Sequence, residues 1–210
     1  ELPMIQIRQL KKEYGTHCIL DIDTLDVDKG LYWLKGANGS GKSTFLKILG
    51  GIIPFKGEVF IDGISVKKET TEYRKLVSYA EAEPLFPSFL TGKDLIAFFN
   101  HTRKANATQT TALIEAFNIA SYIGNPICTY SSGMVKKLSL VLAFIGDVPL
   151  MLLDEPLVTL DKESIGVLYD LVTARAQQGA QFVFTSHQAF ELNAPNIQTL
   201  EVKDHAVWVP

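Results

Sequence analysis

The chain has 210 residues, 47% of them hydrophobic, and its formal net charge at pH 7 is only -3. A chain of this length and composition can bury a substantial core, and we interpret residues 1–210 as a single domain. The charge balance provides no strong positive field, which excludes nucleic acid and anionic membrane surfaces as default partners.

Cysteine content and apolar segments indicate the compartment. The two cysteines, Cys18 and Cys128, are too few for a disulfide framework and are not spaced as a metal site. The longest apolar stretch, residues 138–153, is interrupted by Asp147 and Pro149, so it cannot span a membrane. The first residues lack the basic start and apolar run of a secretory signal. We therefore expect a cytosolic protein that reaches a membrane only through a partner.

Short apolar or alternating segments predict β-strands in the first part of the chain. They lie at residues 4–10, 18–21, 31–34, 57–66 and 76–79. The segment 57–66 is predicted to be a hairpin, because Asp62 and Gly63 suit the positive backbone angles of a tight turn. Residues 44–49 have the apolar spacing of a helix. We expect the first strands to form an antiparallel sheet.

The middle of the chain changes to helical periodicity, and strand patterns return after it. Helices are predicted at residues 94–99, 108–117, 132–144 and 162–177, and further strands at 150–153 and 182–185. Thr91 and Asp94 have the spacing of a capping box, which supports a helix start there. The predicted class is α/β, with a parallel-sheet core of about residues 1–81 and 147–210 and a helical subdomain at about residues 82–146.

A glycine-rich segment between the predicted strand and helix carries the strongest chemical signal. It reads Gly36-Ala37-Asn38-Gly39-Ser40-Gly41-Lys42-Ser43 and continues into Thr44. Glycines let successive backbone N–H groups point at phosphate oxygens, and the positive end of the next helix adds to the attraction. We predict that Lys42 reaches the β- and γ-phosphates, Ser43 binds Mg²⁺ and Thr44 supports the α-phosphate. An ordinary glycine-rich turn is the alternative, which the flanking strand and helix disfavour.

Two carboxylates, Asp154 and Glu155, follow the apolar strand 150–153. A strand end beside a phosphate loop is where Mg²⁺ is held, so Asp154 is the candidate metal ligand, through water. Glu155 points differently and is the candidate general base that polarises the water attacking the γ-phosphate. An acidic strand end can also be merely solvated. Together with the phosphate loop, it indicates nucleotide hydrolysis.

These motifs, in this order, resemble those of the ABC ATPase nucleotide-binding domains over essentially the whole chain. The resemblance implies a P-loop NTPase fold with a RecA-like parallel-sheet core, an antiparallel β portion and a helical subdomain insertion. It also implies that two such domains sandwich two ATP molecules with Mg²⁺. Closure on ATP and opening on hydrolysis would drive a pair of transmembrane permease subunits. The chain would then be cytoplasmic and peripheral at the inner face of the membrane.

Two sites that face a second nucleotide-binding subunit are assigned by the resemblance. Ser131, Ser132 and Gly133 occupy the place of the family signature, which contacts the γ-phosphate of ATP held by the other subunit. A serine and backbone N–H groups at a helix start suit an anion. Asp161 resembles a residue of the loop that crosses the dimer interface, and a helix N-cap is the alternative.

Two further residues resemble nucleotide contacts within one subunit. Tyr14 is similar to the aromatic residue that stacks on adenine, with an ordinary strand-end tyrosine as the alternative. His187 resembles the family's γ-phosphate-sensing histidine, which would act with Glu155 and Lys42 in catalysis. A purely structural histidine is the alternative reading of that position.

The sequence also departs from the family pattern at two places. The signature is Tyr130-Ser131-Ser132-Gly133-Met134, where the common form has Leu, Ser, Gly, Gly and Gln. Ser132 and Met134 are therefore atypical at the predicted cross-dimer contact. The usual metal-contacting glutamine falls on Ala82, which leaves Glu81 or Glu83 to supply an oxygen near the metal.

Partner choice leaves alternatives open. Residues 84–90 are aromatic and apolar without a charge and are the candidate docking stretch for the membrane subunits, with a buried connection as the alternative. A soluble ABC ATPase that regulates or assembles a cytosolic complex is the alternative function. A phosphate-loop kinase is a third, but it gives no reason for Ser131, Gly133 or His187.

Overall fold

The fold consists of two β-sheets with α-helices, and a computed structural model describes residues 3–187 and 197–210. The strands are β1 Ile5–Tyr14, β2 His17–Val27, β3 Leu31–Lys35, β4 Lys56–Ile61, β5 Ile64–Ser65, β6 Val77–Ala80, β7 Leu150–Leu153, β8 Gln181–Phe184, β9 Ile197–Lys203 and β10 Ala206–Trp208. The helices are α1 Lys42–Leu49, α2 Thr70–Leu76, α3 Gly92–Arg103, α4 Ala107–Ala116, α5 Ser132–Phe144 and α6 Lys162–Gln177. The predicted α/β class is confirmed.

The antiparallel sheet has the strand order β2-β1-β4-β5. Ile5, Ile7 and Leu10 of β1 are buried and the residues between them are partly exposed, because one face of the sheet covers the core. The β4–β5 turn has positive φ angles, 46° at Asp62 and 77° at Gly63, as the sequence predicted.

The second sheet has the order β10-β9-β3-β8-β7-β6 and is parallel from β9 to β6, with β10 antiparallel at one edge. All four residues of β7 are buried, as expected for a strand covered on both faces. The carboxyl ends of parallel strands lie at the same edge of a sheet. The segments that follow β3, β7 and β8 therefore meet, and they carry the predicted site.

The hydrophobic core is divided by this sheet into two clusters. Along β7, Leu150 and Leu152 join the cluster between the two sheets, where α1 also packs. Met151 and Leu153 face the opposite side and join the cluster formed with α3–α6. Helices α3, α4 and α5 lie between β6 and β7, within the predicted insertion 82–146. The sheet thus connects the helical region to the sheet edge that carries the predicted site.

Three elements were not predicted from the sequence: α2, β9 and β10. Helix α2 has seven residues of which only Tyr73 is buried, so it shows no detectable periodicity. In β9 the buried residues are limited to Leu200 and Val202. Such short half-buried segments give a weak pattern, and tertiary pairing decides their structure.

Candidate functional site

The phosphate loop adopts a backbone that requires glycine. Gly36, Gly39 and Gly41 have positive φ angles of 155°, 76° and 105°. At Gly36 a β-carbon would come within 2.6 Å of Ser40 Oγ and 2.7 Å of the Val202 carbonyl oxygen, so no side chain fits there. Gly41 also caps the N-terminus of α1 without any side-chain hydrogen bond. The first N–H groups of this helix are therefore available to an anion.

Lys42 and Ser40 supply the polar groups of the loop. The Lys42 amine donates hydrogen bonds to the carbonyl oxygens of Gly36, at 2.9 Å, and Ala37, at 3.0 Å. Ser40 Oγ is buried and has no hydrogen-bond partner among the described residues. A cation, an unused hydroxyl and free backbone N–H groups fit the phosphate groups of a nucleotide.

A cleft of about 340 Å³ lies over this loop. It is lined by Ile19, Asn38, Gly39, Gly41, Lys42, Ser43, Thr44, Glu155 and His187. The structure thus brings together the phosphate loop, the second of the two predicted strand-end carboxylates and the predicted histidine, although more than a hundred residues separate the loop from the other two in the sequence.

Glu155 and His187 contact each other at the wall of this cleft. The backbone N–H of His187 donates to Glu155 Oε2 at 3.2 Å, and His187 Nε2 lies 3.5 Å from Glu155 Oε1. Glu155 has a positive φ of 44°, a strained backbone angle for a residue other than glycine. Its carboxylate side chain is mostly buried, with 14% of its surface exposed, which makes it a stronger hydrogen-bond acceptor than a solvated one.

Asp154 is 1% exposed and does not line the cleft. Its Oδ1 accepts a hydrogen bond from Thr185 Oγ1 at 2.7 Å, and its Oδ2 accepts one from the Tyr79 hydroxyl at 3.3 Å. Thr185 Oγ1 also accepts from the backbone N–H of Glu155 at 2.8 Å. Burial, with the nearby Asp154 charge, raises the pKa of Tyr79, so this hydroxyl stays a donor. Thr185 therefore fixes both carboxylate residues.

No role was predicted for Thr185 from the sequence, although its position indicates one. It directly follows β8, which pairs in parallel with β7, so it lies beside the strand end that carries Asp154. A polar residue at the end of a strand adjacent to a catalytic strand is the signal that could have identified it.

The residues predicted to hold Mg²⁺ are Ser43 and Asp154. Residues 3–187 and 197–210 contain no group of three or more His, Cys, Asp or Glu residues arranged to hold a metal ion. Ser43 in the cleft and Asp154 behind it provide hydroxyl and carboxylate oxygens. Such a sparse set of hard donors fits Mg²⁺, which keeps waters and takes phosphate oxygens as further ligands.

The signature residues lie at the start of α5 and do not line the cleft of their own chain. Ser131 is the N-cap, and its Oγ accepts from the Met134 N–H at 3.3 Å. The sulfur of the atypical Met134 accepts a hydrogen bond from the Ser131 N–H at 3.4 Å, which completes a capping box. Gly133 lies close to another loop, since a β-carbon on it would be 3.0 Å from the Thr159 carbonyl oxygen. Ser131 and Ser132 are exposed.

Asp161 is the N-cap of α6, as the structural alternative predicted. Its Oδ1 accepts from the Ser164 N–H at 2.8 Å, and its Oδ2 pairs with the Lys137 amine at 2.7 Å. The hydrogen bond with Lys137, followed by the bonds from Ser164, lowers the pKa of the Asp161 carboxyl. Lys137 belongs to α5, so this pair connects the signature helix to the loop before α6.

Tyr14 lies apart from the cleft lining and is half exposed. The Lys12 amine sits over its ring, 4.5 Å from the centroid, and donates to the Pro54 carbonyl oxygen at 2.8 Å. The ring is therefore held from one side by a cation. This orientation is compatible with stacking and equally with an ordinary strand-end tyrosine.

The segment after β6 contains Ala82, where the family's usual glutamine is predicted to fall, and lysines bond to this segment. Glu81 pairs with Lys47 of α1 at 2.5 Å, and Glu83 is exposed. Lys136 of α5 is buried and donates to the carbonyl oxygens of Glu81 at 2.9 Å, Ala82 at 3.0 Å and Asp154 at 3.2 Å. Burial lowers the pKa of Lys136 to about 8, against the attraction of nearby carboxylates. No role was predicted from the sequence for Lys47 or Lys136.

The apolar stretch 84–90 is exposed in part and is not a buried connection throughout. Leu85 is 90% exposed and Phe89 79% exposed. A cavity of about 110 Å³ lies beside the stretch, lined by Tyr79, Glu81, Pro84, Leu85, Phe86, Phe99, Ser139 and Leu142. Large exposed apolar side chains beside a concave surface are typical of an interaction site.

Over the described residues, helices are too short or too polar for any of them to cross a membrane. Comparison with known sequences identifies residues 21–158 as an ABC transporter domain. The chain is 32% identical over 192 residues to the cytochrome c biogenesis ATP-binding export protein CcmA of Legionella pneumophila (strain Lens), covering 90% of this chain and 96% of that protein. It is 30% identical over 191 residues to the lantibiotic transport ATP-binding protein SrtF of Streptococcus pyogenes, covering 88% and 80%.

Solved structures share the fold. An ATP-binding subunit of an ABC transporter matches with a TM-score of 0.86 and 22% identity, covering 97% of this chain and 88% of that one. A bacterial ABC transporter cassette solved as a dimer matches with a TM-score of 0.82 and 20% identity, covering 97% and 96%. The P-loop NTPase fold predicted from the sequence is thereby confirmed. The chain belongs to the ABC transporter family, as one of its ATP-binding and ATP-hydrolysing subunits.

Proposed function

We propose that this chain binds ATP with Mg²⁺ in the cleft over the phosphate loop, hydrolyses it between two nucleotide-binding subunits, and so drives a membrane permease. The observation that carries the proposal is the cleft itself. Its lining includes Lys42 and Ser43, a cation and a hydroxyl, together with Glu155 and His187, a carboxylate and an imidazole. This set of groups suits the terminal phosphate of ATP and a water molecule that attacks it.

Phosphate binding is assigned to the loop and the first turn of α1. Lys42 would exchange its bonds to the Gly36 and Ala37 carbonyls for stronger charge-assisted bonds to the β- and γ-phosphates. Thr44 would support the α-phosphate. Ser43 and Asp154 would hold Mg²⁺, the latter through water because its carboxylate is buried. When bound, Mg²⁺ neutralises charge on the phosphate oxygens.

Hydrolysis is assigned to Glu155 with His187. Glu155 lines the cleft and accepts a hydrogen bond from the His187 backbone, which orients its carboxylate. It would accept hydrogen bonds from the attacking water and polarise it. His187 would contact the γ-phosphate and report its presence. Thr185 fixes Asp154 and Glu155 relative to each other, because it bonds to the side chain of Asp154 and the backbone of Glu155.

The signature residues are assigned to the ATP of a second subunit. Ser131, Ser132 and Gly133 start a 13-residue helix away from their own cleft, and two of them are exposed. A serine and N–H groups at such a helix start suit the γ-phosphate of a nucleotide held by the facing chain. Asp161 would lie at the same interface, through its pair with Lys137.

The membrane partner is assigned to the stretch 84–90. Leu85 and Phe89 are exposed beside a cavity at the boundary between β6 and the helical region. Relatives with an export or transport name support a permease over a cytosolic complex as the partner. The chain would then lie at the cytoplasmic face of the membrane, attached through that permease, with residues 82–146 as a helical subdomain.

The test is Glu155→Gln, with Glu163→Gln as the matched control, since Glu163 is an exposed glutamate of the first turn of α6. Removing a general base is expected to lower ATP turnover by about 10²–10⁴-fold while ATP binding is retained. Sedimentation with ATP and Mg²⁺ should then show a dimer for Glu155→Gln and mostly monomer for the wild type and the control. Hydrolysis at the wild-type rate in Glu155→Gln would remove the base assignment. A wild-type chain that does not hydrolyse ATP would refute the proposal.

A further inference from the structure

Lys136 is a buried cation outside the nucleotide cleft. It lies in the second turn of α5 and is 1% exposed, on a helix whose other buried residues are almost all apolar. Burying an ammonium group is unfavourable unless each of its N–H groups is paired. A methionine or leucine would pack in this position without that cost. The amine therefore indicates a requirement beyond packing.

The three donors of the Lys136 amine each have a backbone acceptor. They are the carbonyl oxygens of Glu81 at 2.9 Å, Ala82 at 3.0 Å and Asp154 at 3.2 Å. An ammonium group has three N–H donors, so its hydrogen-bonding capacity is fully used. Among the described residues, no carboxylate lies within ion-pair distance of it. The Lys136 amine therefore bonds to backbone carbonyl groups and not to side chains.

The acceptors lie at the point where the β6–β7 ladder ends. The last paired residues are Ala80 and Leu153, and the Asp154 N–H still donates to the Ala80 carbonyl at 2.9 Å. Beyond these two residues the strands β6 and β7 are no longer paired. Lys136 bridges them there, because one amine bonds to the carbonyls of Glu81 and Ala82 on one side and of Asp154 on the other.

Lys136 joins three segments to which different roles are assigned. Asp154 precedes Glu155 in the cleft wall, and Ala82 leads within two residues to the stretch 84–90. Lys136 itself is five residues after the N-cap Ser131. From the signature helix, one side chain therefore contacts the residue before Glu155 and the two residues that lead to the exposed apolar stretch. Ala82 offers no polar side chain, so any connection at that position runs through its backbone.

The ion pair at the start of this segment is weaker. Glu81 and Lys47 pair at 2.5 Å, but their side chains are 34% and 31% exposed. Partly exposed pairs are screened by water and salt and contribute little. The Lys136 amine belongs to a residue that is only 1% exposed, so its bonds are screened less, and breaking them removes a partner from three carbonyl groups.

We propose that Lys136 is a positioning residue that couples the nucleotide cleft to segment 81–90, taking over a connection that Ala82 cannot make. The coupling rests on the proposed function for the identity of the ligand in the cleft. A displacement of the Asp154 backbone on ATP binding is passed by one ammonium group to the carbonyls of Glu81 and Ala82. From there it moves the stretch with Leu85 and Phe89.

The experiment measures hydrogen exchange over segment 81–90 in the whole chain, with and without ATP and Mg²⁺. The variant is Lys136→Met, which keeps the length of the stem and removes the amine. The matched control is Arg103→Met. Arg103 is a partly buried cation that donates to the carbonyls of Leu142, Ala143 and Ile145 at the far end of α5.

In the wild type, ATP should change exchange in segment 81–90, and Arg103→Met should preserve that change. Lys136→Met should exchange about tenfold faster there without nucleotide, the size expected for losing a charged hydrogen bond, and should lose the response to ATP. Its kcat should fall about tenfold with KM nearly unchanged, because Lys42, Ser43 and Thr44 are untouched. Lys136→Gln keeps two donors and should restore part of the response and of kcat, and it replaces Lys136→Met if that variant does not fold.

Several outcomes would overturn the coupling. These are a wild-type segment 81–90 that ignores ATP, a Lys136→Met or Lys136→Gln chain that responds like the wild type, and equal effects in Lys136→Met and Arg103→Met. Absence of ATP turnover in the wild type would instead count against the proposed function. The exchange rates without nucleotide still show in that case whether Lys136 holds the segment.

Discussion

The strand-end edge and the start of α5 are both parts of the proposed ATP site, but they are built differently. At the strand ends, glycine backbone and buried hydrogen bonds place each group, and Thr185 bonds to both Asp154 and Glu155. At the start of α5, Ser131 and Ser132 are exposed, and the cap uses a weak sulfur acceptor, Met134. The first region is complete within one chain, whereas the second requires a facing chain to have a ligand. Substitutions should therefore affect binding in the first region and association in the second.

The largest effect is expected for Lys42→Ala in the strand-end region. The loop loses the side-chain cation placed at the β- and γ-phosphates, so ATP affinity should fall by about two orders of magnitude, as for loss of strong charge-assisted bonds. Calorimetric titration with ATP measures this. Lys29→Ala, which removes an exposed lysine outside the cleft, should bind normally. Unchanged affinity in Lys42→Ala would contradict the assignment of the loop.

A large effect on stability is expected for Thr185→Val. The substitution keeps the shape but leaves Asp154 Oδ1 and the Glu155 N–H without their bonds to Thr185. Unpaired buried groups should lower the free energy of unfolding by about 2 kcal/mol, and the melting temperature by about 4–8 °C. Thermal unfolding measures this, with Thr111→Val on the exposed side of α4 as the control. Equal melting temperatures for the two variants would show that Thr185 does not fix the strand end.

An intermediate effect, mainly on association, is expected for Ser131→Ala. Both Ser131 and Thr91 are N-caps within capping boxes, so Ser131→Ala and Thr91→Ala should each lower stability by about 1 kcal/mol. Only Ser131→Ala should weaken the ATP-dependent dimer, measured by sedimentation in a Glu155→Gln background. ATP binding to the single chain should stay unchanged. A dimer weakened equally by both variants would mean that Ser131 acts only as a cap.

The smallest effect on the isolated chain is expected for Phe89→Ser. An exposed side chain contributes little to the fold, so melting temperature and ATP turnover should match the wild type within error. Co-purification with the membrane partner should fall at least severalfold, since apolar anchors dominate interfaces. Ile52→Ser, at a similarly exposed apolar residue in another part of the chain, is the control. Normal co-purification of Phe89→Ser would move the docking surface away from residues 84–90.

The sequence predicted the strand-end region better than the helical one, for physical reasons. The phosphate loop and the strand 150–153 are local patterns whose backbone requirements are visible in the residue types, and the structure brings them together with His187. Thr185 and Lys136 were missed because their roles depend on neighbours distant in sequence. A lysine in an amphipathic pattern is normally solvated, and only packing shows that this one is buried. The family fold was predicted correctly, whereas the residue-level roles stay predictions.

The contact between Gly133 and Thr159 has a consequence for the signature as a whole. A methyl group at position 133 would meet the Thr159 carbonyl at 3.0 Å, so the start of α5 and the loop before α6 lie against each other. Asp161 and Lys137 join the same two segments at 2.7 Å. A facing subunit would therefore meet one surface made of both segments and need not order two separate loops, which lowers the entropy lost on docking. Within this surface Ser132 is exposed, so this position of the signature has room for a residue larger than glycine.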